Sequence, residues 1–320
     1  MATATEIGRR GLLAGLAAAA LPVRAAASSR PPPGDLEGTW TLGTYTDFQR
    51  PKTLSALVLT PAEAEAYEAP RRALHGMVAS KADGLGQAES EFNERGARLA
   101  RIHGQIRSSW IIDPPDGQVP FTAAAKARLG IGLTPPRPDP PDNPESQPAP
   151  TRCLVNHAAG APMIGGADAN LFQIVQTHDH VAIFSEAYHD VRMVRLGAGL
   201  TPDAHAGAWL GDSVGHWEGQ TLVVETAGFH PGDIVRGGSL LQTAQTRVTE
   251  RFTREGPDSL FYQFTVSDPT LYTQPWRGEM ALDKAPGRIF EFACHEGNYA
   301  MAGILAGGRR EEGLAKVAAK

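Results

Sequence analysis

From Leu171 onward, apolar and polar residues alternate in short runs: "LFQIVQT", "HVAIFSEAY", "DVRMVRL", "GHWEGQTLVVET", "TRVTERFTR", "SLFYQFTV", "QPWRGEMAL" and "RIFEFAC". A period of two marks strands whose side chains point alternately to opposite faces. Turn-forming strings ("HDH", "WEGQ", "EGPD", "SDP" and "KAPG") separate the runs at hairpin spacing. The series predicts a mainly β chain: an antiparallel meander forming a calycin-like barrel, with a β-sandwich as the alternative.

The first half is mixed. "GTWTLGTYTDF", Gly38 to Phe48, predicts an opening strand. Thr60, Pro61 and Glu63 form a capping signal for a helix over residues 60–80, with Pro70 expected to kink or break it. A strand is expected from Ile106 to Ile112, stopped by the turn Asp113 to Gly117, and "FTAAAKARLG" reads as a short helix. Eight prolines between Leu133 and Thr151 fit neither a packed helix nor a central strand, so residues 133–151 read as a surface excursion. The closing "NYAMAGILAGGRREEGLAKVAAK" predicts a C-terminal helix with a polar tail.

Alternation also sorts the polar residues by face. Leu260, Tyr262, Phe264 and Val266 share one face, and Val248, Glu250 and Phe252 another, which places Glu250 on an apolar surface unless an arginine pairs with it. Glu225 shares a face with Val223 in a strand that is apolar on both sides. In "SEAYHDVRM", Glu186, Tyr188, Asp190 and Arg192 alternate with His189 opposite; in "RIFEFACH", Glu291 and His295 point one way and Cys294 the other, toward the aromatic core. A barrel interior holding aromatic rings and a few carboxylates suits a small-molecule cavity, where burial raises carboxyl pKa values and equips them for acid/base work.

The first residues change the picture of compartment. Arg9-Arg10, an apolar run to Leu21 and small residues ending in Ala25-Ala26-Ala27 resemble a twin-arginine export signal cleaved after Ala27, which makes residues 28–320 a single mature domain bound for the periplasm. The chain carries a formal charge of −5; without the signal's three arginines and one glutamate it carries −7. Nothing in it forms a basic patch able to grip a phosphate backbone, so nucleic acid is excluded as a partner, and no apolar run is long enough for a membrane span. In an oxidising compartment the two cysteines, Cys153 and Cys294, read as a disulfide in preference to two buried thiols.

Several chemistries fail on spacing. "HEGNY" has Tyr299 where a helical zinc motif needs a second histidine, there is no C-x-x-C-H for haem, and no Gly-rich phosphate loop is present. His178 and His180 have metal-ligand spacing but fall in a hairpin turn, so no metal and no cofactor is expected. Gly211 to Gly215, "GDSVG", matches the nucleophile-elbow letters, yet a hairpin follows where the elbow needs a helix.

"SSWIIDPPDGQVPFT", "FQIVQTHDHVAIFSEAYHDVRM", "WLGDSVGHWEGQTLVVET", "FTVSDPTLYTQPW" and "FACHEGNYAMAGIL" together resemble a family of exported bacterial proteins. His189, Asp190, Asp212, Glu225, Glu250, Cys153, Cys294, His295 and Glu296 fall on positions matching its pattern, although "THDH" stands where that family has "TPDY". The resemblance implies export rather than a particular reaction. "GTW" is similar to the G-x-W of lipocalins, which implies a calycin-like barrel.

The sequence therefore leads us to expect a periplasmic, metal-independent lyase or isomerase acting on a hydrophobic small molecule in a barrel cavity. His189, Glu225, Glu250 and His295 are its candidate catalytic groups, and Tyr262, Asp190, Arg192 and Glu296 its candidate ligand contacts. The alternatives are a non-catalytic binding protein for a hydrophobic ligand and a hydrolase using Ser213.

Overall fold

The computed structural model describes residues 34–80, 96–129, 143–147, 149–155, 158–166, 170–230, 234–236, 240–285 and 287–318. The segment expected to be an export signal, and most of the proline-rich segment, lie outside the described residues. Among the described residues fifteen strands run in chain order: β1 (Gly38–Thr41), β2 (Val58–Leu59), β3 (Arg101–Ile102), β4 (Gln105–Arg107), β5 (Ile111–Asp113), β6 (Leu171–Gln176), β7 (His180–Ser185), β8 (Val191–Leu196), β9 (Asp212–Glu218), β10 (Thr221–Ala227), β11 (Ile234–Arg236), β12 (Leu240–Gln242), β13 (Arg247–Gly256), β14 (Ser259–Ser267) and β15 (Trp276–Lys284). The α-helices among the described residues are α1 (Pro61–Ser80), α2 (Ala123–Leu129) and α3 (Ala300–Ala318).

The chain folds as a mainly β protein built on a closed barrel. Its strands follow the order β1-β6-β7-β8-β9-β10-β13-β14-β15, and Trp40 and Thr41 of β1 pair with Lys284 and Asp283 of β15 to complete the ring. The ring differs from a pure meander at one seam. β8 and β9 run parallel, with Val194 opposite Ser213, and residues 197–211 carry the chain back between them. A two-residue turn can join only antiparallel strands, so this seam requires the longer connection. Lipocalins close with eight strands; this barrel has nine.

Large apolar side chains fill the interior. Trp40, Phe172, Phe252, Tyr262, Phe264 and Trp276 are all almost entirely buried, each ring removing an apolar surface worth roughly 2–3 kcal/mol from water. Trp40, the tryptophan of "GTW", donates its indole N–H to Leu36 O at 3.0 Å, and the Arg254 guanidinium lies 5.0 Å over its ring. The stretch Ala158 to Met163 packs onto this core, with Ala158, Ala159, Ala161 and Met163 buried.

Outside the ring, β2, β4 and β3 form a small sheet against which α1 lays Ala64 and Tyr67. The capping box forms as the sequence predicts: Thr60 N–H donates to Glu63 Oε2 at 2.8 Å, and Glu63 N–H to Thr60 Oγ1 at 3.3 Å. α1 continues unbroken through Pro70, because Pro70 and Ala66, the residue whose carbonyl loses its partner, both face water. The strand expected from Ile106 to Ile112 is split. Ser108 N–H donates to Leu57 O and Trp110 N–H to Asp47 O, so the chain passes here from the small sheet to the barrel. The opening strand is likewise shorter than expected and ends at Thr41.

"RIFEFAC" is not a strand but an irregular segment between β15 and α3. One edge of β15 is taken by β14 and the other by β1 and β5, so no free edge remains for residues 288–294 to join. No helix among the described residues is long and apolar enough to cross a membrane.

Candidate functional site

Of the residues expected to share a cavity, the structure brings Glu250, Arg192 and Tyr262 into contact and leaves Glu225 and His295 exposed. Glu250 on β13 is fully buried, and its carboxylate is gripped by both terminal nitrogens of Arg192 on β8, one through Oε2 and the other at 3.0 Å through Oε1. Tyr262 on β14 donates its hydroxyl to the same Oε1 at 2.7 Å and accepts the Met163 N–H at 2.8 Å. Burial holds the Tyr262 phenol well above its ordinary pKa, and the Glu250 charge beside it adds to the shift. Tyr262, Glu250, Phe252, Leu222 and Val224 are each 0% exposed. At these residues the interior is a packed core around an ion pair in which the Glu250 carboxylate is held by Arg192 and Tyr262, while Arg192 Nε has no hydrogen-bond partner among the described residues.

Glu225 lies on the outer wall of β10, opposite Thr249, and is exposed. Ser213 is buried in β9 with its hydroxyl 2.8 Å from that of Thr226, its one hydrogen-bond partner among the described residues and no proton acceptor for a hydrolase. His178 and His180 are solvent-facing and flank Asp179, whose carboxyl is lowered to about 2 by hydrogen bonds from His180 and Thr177. Among the described residues no three His, Cys, Asp or Glu side chains converge as a metal-binding group.

Within the polar run "SEAYHDVRM", Glu186 to His189 form a clasp rather than a strand face, and Val191 to Met193 begin β8. Residues Ala187–His189 make a 3-10 turn, with Tyr188 and His189 at φ of 62° and 53°, which ends the alternation. Glu186 accepts the Phe290 N–H at 2.7 Å. The His189 ring stands edge-on to Phe292, with Nδ1 3.1 Å from its carbonyl oxygen and Nε2 3.4 Å from its amide nitrogen. Tyr188 stacks on Phe292 at 4.9 Å. The Cys153–Cys294 disulfide forms as the sequence predicts, although Cys294 is half-buried in the irregular segment and not on an aromatic core face. His295 and Glu296 follow in an exposed turn, and Asp190 is buried at the start of the β8 segment. His189 is therefore occupied in fastening the C-terminal segment to the barrel.

A concavity of a different kind lies beside α1. It is a cleft of about 600 Å³ lined by Pro51, Leu54, Leu59, Ala66, Tyr67 and Pro70, with Glu63 and Arg71 among its charged residues. That volume is within the range of small-molecule sites, and Thr53, Ser55, Glu63 and Arg71 alternate with the apolar and aromatic lining. The cleft runs along the edge of the helix where its buried face ends: Ala64, Tyr67 and Glu68 face the small sheet, while Glu63, Ala66 and Pro70 flank them. Arg71 lies over the Tyr67 ring at 3.5 Å and donates to the Tyr67 hydroxyl at 2.5 Å. Tyr67 in turn donates to Asp47 Oδ2, and Arg71 stands 3.8 Å from the same oxygen. Burial raises the Tyr67 pKa, with the hydrogen bond to Asp47 and the Asp47 charge adding to it, so this phenol stays a donor across the physiological range.

Sequence reasoning did not single out Asp47, Leu54, Tyr67 or Arg71. The positions 63, 66, 67, 70 and 71 do have one-face helical spacing. The opposite wall, residues 51–55, has no periodicity to reveal it. Compared with protein-family models and with curated proteins, the chain finds no match.

Proposed function

We propose that this protein is a non-catalytic binding protein for a hydrophobic small molecule, with the ligand seated in the cleft between α1 and residues 51–55. The observation that carries this reading is the division of labour among the polar groups. The buried carboxylate is neutralised by Arg192, the clasp histidine is committed to Phe292, and Glu225 and His295 lie apart on the surface. Acid/base catalysis needs a titratable group with a free proton position beside a substrate space. None of the four candidates has that setting, whereas the cleft offers an open volume of suitable size with apolar and polar groups in its wall.

Titration with the neutral fluorophore N-phenyl-1-naphthylamine tests the reading. Saturable fluorescence enhancement is expected with the wild-type protein and not with Ala66→Trp, which fills the cleft from an exposed helix position. Equal binding by the variant, with its circular dichroism unchanged, refutes the assignment.

A further inference from the structure

Two charged residues line the cleft. Glu63 and Arg71 both line it, and they are eight positions apart on α1, so the helical rise separates them by roughly 12 Å along its length. Between them the helix contributes Ala66, Tyr67 and Pro70, and the facing wall Pro51, Thr53, Leu54, Ser55 and Leu59. No charged residue lines this middle stretch.

Both groups keep unused hydrogen-bonding capacity among the described residues. Glu63 accepts from Thr60 N–H and Thr60 Oγ1–H through Oε2 alone, which leaves Oε1 open; those bonds hold its carboxyl below the ordinary range, so it is anionic at neutral pH. An arginine has five N–H donors. Arg71 spends one from each terminal nitrogen, on the Tyr67 carbonyl at 3.1 Å and the Tyr67 hydroxyl at 2.5 Å. Asp47 approaches Arg71 from the Tyr67 side, so the rest of the guanidinium fork is available to a second carboxylate.

Resting on the binding function proposed above, we infer that the ligand is an apolar zwitterion whose ammonium end meets Glu63 and whose carboxylate end meets Arg71. An extended peptide spans about 3.3–3.6 Å per residue, so a free tripeptide or tetrapeptide with apolar side chains has the matching length. A long ω-amino acid presents the same chemistry without the peptide backbone.

The test is displacement of N-phenyl-1-naphthylamine from the full chain by free tri-leucine, by its N-acetyl form, by its C-terminal amide, and by ω-aminononanoic acid. Free tri-leucine is expected to displace the probe more tightly than either blocked form, on the order of fivefold, the upper range for a solvent-facing ion pair. Displacement by the ω-amino acid as well assigns recognition to the two charges; displacement by the peptide alone adds the backbone to it. Glu63→Gln should erase the difference between free and N-acetyl peptide, and Arg71→Gln that between free peptide and amide. Since Glu63 also caps α1, Thr60→Ala, which removes the capping hydroxyl and keeps the charge, should retain the full preference. Equal displacement by all three peptides overturns the inference and leaves the cleft reading standing. Probe binding that survives Ala66→Trp overturns both.

Discussion

Arg192 and Glu250 form a two-pronged ion pair inside the barrel, with side-chain exposures of 1% and 0%. Two strands far apart in sequence supply the partners, and Tyr262 adds a third contact to the carboxylate. A pair of this kind adds little net stability over apolar residues of the same volume, but removing one partner strands a buried charge. Arg192→Met is expected to lose about 3–5 kcal/mol in urea unfolding. Arg192→Met combined with Glu250→Met should recover most of it. A single variant within about 1 kcal/mol of wild type would contradict the burial argument.

The disulfide and the clasp hold the same segment. Cys153 and Cys294 are separated by 141 positions, so by the chain-entropy estimate their cross-link contributes up to about 5 kcal/mol. His189 and Tyr188 add a second attachment at Phe292. Chymotrypsin should therefore cut after Phe292 faster in Cys294→Ser than in wild type, and faster still in Cys294→Ser with His189→Ala. Equal rates in the two variants would remove His189 from the clasp.

Asp268 organises the turn after β14. Thr243 and Thr246 hydroxyls donate to its Oδ2 at 2.6 and 2.8 Å, and the Thr270 hydroxyl and amide donate to Oδ1 at 2.6 and 2.9 Å. Burial pushes its pKa up, and these hydrogen bonds outweigh that to hold it below the ordinary value. A carboxyl lowered in the folded state stabilises it above the unfolded pKa of about 3.9, and that contribution is lost as pH falls through the folded value. Asp268→Asn should thus cost about 1–3 kcal/mol at pH 7, and the gap to wild type should narrow by pH 3. A gap independent of pH would show that the charge contributes nothing there.

Gly278 on β15 is a packing requirement. A Cβ at this position would lie 2.2 Å from the ring of Phe264 on the paired strand. Gly278→Ala should destabilise by about 1–3 kcal/mol through overpacking, and Phe264→Leu in the same chain should relieve part of the loss. Thermal unfolding of the single and double variants measures both.

Alternation along the chain made β6 to β10 and β13 to β15 legible, though not the short β11 and β12, and it put Glu250 and Tyr262 inside. Its reach ended where the structure depends on what lies beside an element. Nothing local distinguishes residues 288–294 from a strand; the closed ring withholds the edge they would need. The turn at Tyr188 and His189 likewise breaks a period that the letters suggest. An arginine partner for Glu250 was foreseeable in kind, but its identity as Arg192 follows from barrel closure, which brings β8 across from β13. The disulfide was readable because two cysteines allow one pairing. The cleft was not, because half of its wall is the loop at residues 51–55, held against a helix whose own pattern reports only its buried face.

Amide chemical-shift mapping with the neutral naphthylamine probe tests the central claim most directly. Binding in the cleft predicts perturbations concentrated in residues 51–59 and 63–71, with the amides of β13 and β14 unmoved. Shifts centred on Glu250 and Tyr262, or none at saturating probe, would contradict it.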